Sequence, residues 1–450
     1  MYTFEITEKT RHNRLETNRI VKYRFETVRV TNSPAIIPVV IEQHAEQAAF
    51  LWLLRDAAVH APHYSLSDLA HLDNRVEAHI DGLRIAGEAG WEVCKQALGN
   101  EESGEIFAAA VLAYESGADD RIQTVLDVGT SAAEFHRGIV SALGWLSFQQ
   151  AEKYIEELVG ADSPIQRRIG IAASAVHRQD PGQSLVDALS DNDPLLRARG
   201  LRAVGQLGRV DLLSAVKSNL RDDDTKCRFC AAWSVALLGD PQALPVLRDL
   251  AEVDFPHRQE AVEMVARVLD LSAVHDLRME MARSPAMGRL AVQAAGVIGD
   301  AGSITWLIDQ MVVPELARVA GESFSMITGV DIAYEDLEGE WPQGFEAGPT
   351  ENPEDENVEM DRDEDLPWPD PELIQKWWSN HRSNFQNRTR YLIGKPISEE
   401  WLHQVLRVGN QRQRAAAALE LVLRQPGQPL FEVRAPGFRQ QQILGLKVTR

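Results

Sequence analysis

Between Asp193 and Val312 the apolar positions fall in four stretches that align almost without adjustment. They are DPLLRARGLRAVGQLGRVDLLSAVKSNL from Asp193, TKCRFCAAWSVALLGDPQALPVLRDLA from Thr225, HRQEAVEMVARVLDLSAVHDLRMEMA from His257 and GRLAVQAAGVIGDAGSITWLIDQMV from Gly288. In each, small apolar residues recur three and four positions apart, a tight turn follows, and a second run carries its own apolar stripe. That period predicts two helices per unit. Gly208, Gly239 and Gly299 stand where the first helix of a unit should end, the place where a left-handed residue costs glycine least.

An arginine column fixes the period. Arg137, Arg168, Arg197, Arg228, Arg258, Arg289 and Arg318 are separated by 31, 29, 31, 30, 31 and 29 residues. Three positions after each stands a small or β-branched residue: Val140, Ile171, Gly200, Ala231, Ala261, Val292 and Gly321. Acids such as Asp162, Asp191, Asp193, Asp222, Asp224 and Asp254 precede several of them by four to six positions. A unit of this size cannot bury its apolar faces alone and must stack on its neighbours. The expected fold is therefore all-α, a solenoid of helix pairs wound as a right-handed superhelix across about 36–335.

The two-helix unit, the R-x-x-A pattern and the run LLGDPQALPVLRDLA resemble HEAT repeats of the bacterial phycobilin-lyase-like type, over roughly 100–335. The resemblance implies that the Asp and Arg positions form a hydrogen-bonded ladder between neighbouring repeats, a structural role for all seven arginines. A second resemblance covers 36–98, beginning IIPVVIEQHAEQAAFLWLLRDAAVHAPHYSLSDLAHL. This stretch is similar to the N-terminal signature of a bacterial HEAT-repeat family whose members are frequently encoded in type VI secretion gene clusters. It is helical in pattern, with Ser65 and Ser67 available as caps and Asp68 favouring the first turn.

Charge divides the rest of the chain. The 450 residues carry 46 Lys+Arg and 67 Asp+Glu, a net charge of −21, which weighs against binding a phosphate backbone. Residues 335–372 hold 16 acids and one base, Arg362, and are rich in Pro and Gly. Such a stretch reads as an acidic linker over 336–370, because it has too little apolar surface to offset its ordering entropy. Residues 373–450 reverse the sign, with 13 Lys+Arg against 4 Asp+Glu, and read as a small basic helical tail domain over 371–450. The expected order is an arm over 1–35, a helical cap over 36–98, a repeat array over 99–335, the linker and the tail. In the arm, Val21, Tyr23 and Phe25 alternate as in a short strand. The N-terminus is charged throughout, without the apolar core of a secretory signal, and no stretch approaches the ~18 apolar residues of a membrane span. With three cysteines, these features point to a cytoplasmic protein.

Candidate chemistry is sparse. Cys227 and Cys230 form C-x-x-C inside a first helix; a structural zinc needs four ligands, and only Cys94 and His257 could add to them. His44, His60, His63, His71 and His79 cluster in one window, but Pro62 breaks the H-A-P-H and no H-E-x-x-H exists. The acid runs 222–224 and 361–365 lack the glycine and ligand spacing of a calcium loop. Phosphate-loop, dinucleotide and nucleophile-elbow motifs are absent from the sequence. No cofactor or metal is expected, and no catalytic residue is singled out.

Binding residues are expected on two surfaces. If the second helix of each unit lines the inner face of the solenoid, Lys217, Arg248 and Arg278 form a column there. In the tail, Trp368, Trp377 and Trp378 serve docking or partner binding rather than base stacking. The leading function is a non-enzymatic scaffold for a protein client, with no nucleic-acid or membrane partner; the resemblance implies an adaptor or effector-loading factor of a type VI secretion module. An immunity protein for a co-encoded toxin and a chromophore-lyase-like enzyme remain as alternatives.

Overall fold

The computed structural model describes residues 37–349 and 360–449. The arm expected over 1–35 and residues 350–359 of the expected linker lie outside the described residues. The chain opens with α1 (Pro38–Ala58), α2 (Leu66–Ala86) and α3 (Glu88–Ala97). Helix pairs follow: α4 (Ser103–Ser116) with α5 (Asp119–Gly129), α6 (His136–Trp145) with α7 (Phe148–Val159), and α8 (Pro164–His177) with α9 (Gln183–Ala188). Next come α10 (Pro194–Leu207) with α11 (Leu213–Ser218), α12 (Thr225–Leu237) with α13 (Ala243–Glu252), and α14 (Arg258–Val268) with α15 (Leu271–Met281). The last pair is α16 (Gly288–Ile298) with α17 (Ile304–Gln310), before α18 (Pro314–Thr328). The C-terminal part holds α19 (Pro371–His381), a hairpin of β1 (Tyr391–Leu392) and β2 (Lys395–Pro396), α20 (Glu399–Val408), α21 (Gln411–Arg424) and α22 (Gly437–Ile443).

The structure is an all-α solenoid. The first helices stack on one another in the order α4, α6, α8, α10, α12, α14, α16, α18, with α1 against α4, while the second helices form an outer layer. Local sequence explains the boundaries. Ser163, Asp193 and Asp224 cap α8, α10 and α12, each accepting from the backbone N–H three residues on, and Pro164 and Pro194 occupy the first turn. Gly208 ends α10 at φ 69°, and the Arg209 N–H returns to the Val204 carbonyl in a Schellman closure. Two first-layer crossings need glycine for another reason. A Cβ on Gly205 would lie 2.5 Å from Ser234 Oγ, and one on Gly296 would lie 2.9 Å from Ser323 Oγ. Those serines donate to the Leu201 and Val292 carbonyls of the neighbouring helix, so small residues bring the helices close enough to be hydrogen-bonded together.

The segments bordering the expected linker are packed. Leu366 is buried, the Gly339 N–H donates to the Trp368 carbonyl, and the Asp370 N–H donates to the Leu337 carbonyl. Ile374 and Trp378 of α19 join the core that α17 and α18 build, with Trp377 5.6 Å from Phe324. Among the described residues, neither 335/336 nor 370/371 is therefore a break in packing. Acidic composition concealed this, because the arginines that neutralise these carboxylates come from α16 and α18.

The basic tail also runs the length of the array, supplying donors to helix-end carbonyls that a helix cannot satisfy internally. The Ile393 and Gly394 N–H groups donate to Met326 and Ile327 of α18, and the Tyr391 N–H donates to Gly299 after α16. Arg390 donates to Val297 and Ile298, the Leu430 N–H to Gln206 of α10, and Arg439 to Leu146 after α6. At the far end, α22 packs on α2: the Gly437 N–H donates to Asp73, which also pairs with Arg55 at 2.9 Å. The tail thus spans from the last repeat to the first two helices.

Candidate functional site

The inter-repeat turns show what the arginine column does. Asp222 accepts from the Asp224 N–H and takes both Nε and Nη2 of Arg197, at 2.7 and 3.0 Å. That hydrogen bond holds the Asp222 carboxyl below the usual carboxylate range, against the opposing effect of burial. Arg197 and Arg228 donate to carbonyls of the turn before their own helix, at Asp191 and at Asp222 and Asp223, and Arg258 donates to Ala251 and Glu252 at the end of α13. Arg137 bonds Ser103 and Asp56. Arg168 departs from the pattern by one residue. It sits five places into α8 where Arg197 and Arg228 sit four into theirs, so Arg167 takes the corresponding bond, to Asp191 at 2.9 Å.

Arg289 and Arg318 reach the acidic segment. Arg318 forks onto Asp361 at 2.7 and 2.8 Å and bonds the Asp363 carbonyl, while Arg289 forks onto Asp363 at 2.7 and 2.6 Å. The Asp363 N–H donates back to Asp361 at 2.9 Å, the same bond that Asp193 makes to Asp191 and Asp224 to Asp222. The run Asp361-Arg362-Asp363 thus reproduces an inter-repeat turn and ends the ladder after the last repeat.

A cavity of about 1440 Å³ opens on the first-helix side. Its walls come from α1, from α6 through the successive first helices to α18, from α21, and from the tail around Leu430–Pro436. This overturns the expectation that second helices line the inner face. Lys217, Arg248 and Arg278 lie on α11, α13 and α15 and are not among the lining residues. The second helices use one face to cover the first layer and turn the other outward, whereas the tail packs against the first helices. Lys217 pairs with Asp240 at 2.6 Å, Arg248 is exposed, and Arg278 is buried with its guanidinium 4.3 Å from the Trp306 ring centre.

Trp378 is buried and Trp377 half-buried against α18, and Trp368 lies 4.9 Å from Trp341 with Arg318 over both rings. All three therefore contact this chain's own last repeat. The thiols are inert in their surroundings: Cys94, Cys227 and Cys230 are buried, and burial pushes Cys94 and Cys227 up to about 12. Among the described residues, no three His, Cys, Asp or Glu side chains converge as a metal site requires, and no helix is long and apolar enough to cross a membrane.

The charge of the cavity opposes that of the chain. Thirteen lining residues are Arg or Lys and six are Asp or Glu, in a protein of net charge −21. Arg202 lies 3.5 Å over the Trp233 ring and pairs with Glu260 at 2.8 Å; the His257 Nδ1–H donates to the other Glu260 oxygen, and the ring stacks on Phe229. Burial would raise the Glu260 carboxyl, but His257 and Arg202 outweigh it and bring it to about 2. Arg199 forms no ion pair: its Nη2 meets Gln206, its Nε is buried without a partner, and burial with nearby Arg202 outweighs the pull of Glu432 and pushes it down to about 10. Arg168 bonds the His136 imidazole, which burial and the guanidinium itself push below its ordinary value, and feels Asp193 only from beyond ion-pair distance. Sequence reading missed Arg199, Arg202, Phe229 and Trp233. The available signal was the recurrence of charged and aromatic residues on first helices otherwise built from Ala, Gly and Val, as in RARGLRAV.

A family model described as HEAT repeats matches residues 182–267, from just before α9 to the end of α14. No curated protein matches the chain. Over those residues the chain is similar to HEAT repeats, a repeat class common in protein-interaction scaffolds.

Proposed function

We propose that this protein is a non-enzymatic scaffold that holds a protein client against its first-helix layer. The observation that carries the reading is the cavity, about 1440 Å³ and walled by successive first helices from α6 to α18. Small-molecule sites fall in the range of about 300–1,000 Å³ and gather few walls, so a surface drawn from so many repeats suits a polypeptide. The resemblance of 36–98 carries the finer proposal: an adaptor or effector-loading factor of a type VI secretion module, acting in the cytoplasm. Crosslinked purification from the native host tests both levels. A stoichiometric protein partner from a secretion spike or its cargo is the expected outcome. A toxin domain as partner would make this an immunity protein, and transfer of a chromophore to that partner would make it a lyase. Elution of the protein alone under crosslinking would overturn the scaffold reading.

A further inference from the structure

Three consecutive first helices each present a cation to the cavity: Arg168 on α8, Arg199 on α10 and Lys226 on α12. None of the three makes an ion pair with a carboxylate among the described residues, although Arg55, Arg137, Arg178, Arg202, Arg267, Arg289, Arg412 and Arg434 all do. Arg168 and Arg199 are half-buried and Lys226 is exposed; Asp193 and Glu432 act on the two guanidiniums only from beyond ion-pair distance, and burial outweighs them. A half-buried guanidinium without an ion pair lowers stability, and the buried Nε of Arg199 without a partner adds to the cost. Arg202 and Arg178 also repel Arg199, partly offset by Glu432. A purely structural layer would place apolar or paired residues there.

The same wall already holds one extended segment. Residues 429–432 have no regular structure, the Leu430 N–H donates to the Gln206 carbonyl at 2.9 Å, and Arg178 donates to the Leu430 carbonyl while pairing with Glu432 at 3.0 Å. Backbone carbonyl plus carboxylate is how this face grips an extended chain. Packed helices lie about 8–10 Å apart and an extended chain advances about 3.3 Å per residue, so an acid at every third position meets successive helices.

We propose that the cavity takes an extended acidic segment of the client, whose carboxylates pair with Arg168, Arg199 and Lys226. The proposal rests on the scaffold reading and names the chemistry of its partner. Carboxylates at third positions match the spacing of successive helices and neutralise the local excess of positive charge.

The test uses the full chain and a fluorescein-labelled peptide of four Glu-Gly-Gly repeats, with a Gln-Gly-Gly peptide and inorganic phosphate as comparisons. Fluorescence anisotropy should show the Glu peptide binding, more weakly as salt rises, and the Gln peptide not binding. The double variant Arg168→Gln, Arg199→Gln should lose about tenfold or more in affinity, while Arg248→Gln on the outer layer changes it less than about twofold. The double variant should melt at the wild-type temperature or above it, since two half-buried cations without an ion pair are removed. Equal binding of the Glu and Gln peptides, or undiminished Glu-peptide binding by the double variant, would overturn the proposal. So would a lower melting temperature, which would make these arginines structural, or displacement by stoichiometric phosphate, which would make this a small-anion site. A client from the native host that binds wild type and double variant alike would remove this site and leave the scaffold standing. Peptide binding with no client at all would do the reverse.

Discussion

Replacing Asp361 with Asn isolates the contribution of the acidic segment to the array. Arg318 is 5% exposed and Asp361 15% exposed in their side chains, and two charge-assisted bonds of 2.7 and 2.8 Å join them. Removing one partner of a buried pair costs about 3–5 kcal/mol, against about 0–1 kcal/mol for an exposed pair. Asparagine keeps one acceptor, and Arg318 keeps the Asp363 carbonyl at 2.7 Å and its place over the Trp341 ring. The expected loss is therefore about 2–3 kcal/mol in denaturant unfolding at pH 7. Asp365→Asn, at a side chain 54% exposed, should change stability by less than about 0.5 kcal/mol. The pH dependence has a defined sign. Burial would raise the Asp361 carboxyl, but Arg318 and the Asp363 N–H hold it below its ordinary 3.8. Its stabilisation is present above pH ~4 and is lost as pH falls through the lowered value, so the variant should flatten that part of the acid limb. A variant within about 0.5 kcal/mol of wild type, with Arg318→Ala costing over about 2 kcal/mol, would refute the turn-mimic account.

Gly299→Ala should cost more than about 2 kcal/mol, because φ is 73° and the new Cβ would lie 2.3 Å from the Tyr391 carbonyl oxygen; Gly445→Ala, at φ 66° in open space, isolates the backbone part in the same unfolding assay. Arg228→Ala should lower stability by about 1–3 kcal/mol and leave client affinity unchanged, measured by unfolding and by titration of the client once identified. Burial, with Arg439 nearby, lowers His177 from 6.5 to about 4, so the fold favours the neutral ring; stability should decline as pH drops from about 6.5 to about 4, and His177→Gln should remove that decline in pH-resolved melting. The three thiols should resist a disulfide reagent in native protein and react only on unfolding, followed by absorbance.

The helix pairs were legible because their signals are local: a 3.6-residue period, an arginine recurring about every 30 residues, and glycine at 208 and 239. The arginine column was legible as a period, but the slip between Arg167 and Arg168 was not, since both are arginine and only helix start points separate them. The acidic segment was misread because composition measures a stretch alone, whereas Asp361 and Asp363 are matched by arginines 43 and 74 residues away. Its D-x-D was present in the sequence at 191–193 and 222–224 as a template. The cavity was least legible. Which helix layer faces inward depends on where the tail packs, and contacts such as Arg178 with Glu432, 254 residues apart, leave no periodic trace.

The bonds from α22 to α2 carry a consequence for biosynthesis. Repeat arrays ordinarily fold by neighbour contacts as they emerge from the ribosome. Here Asp73 waits for the Gly437 N–H, 364 residues later, and Arg55 waits for the Ala435 carbonyl, 380 residues later. At translation speeds of about 5–20 residues per second, the first helices are exposed for roughly 20–70 s before their last partners exist. During that interval the apolar flank of α2 that α22 will cover, at Ala70, is open to chaperones, and a nascent chain stopped before residue 430 carries an array in which the ends of α6 and α10 have not been closed.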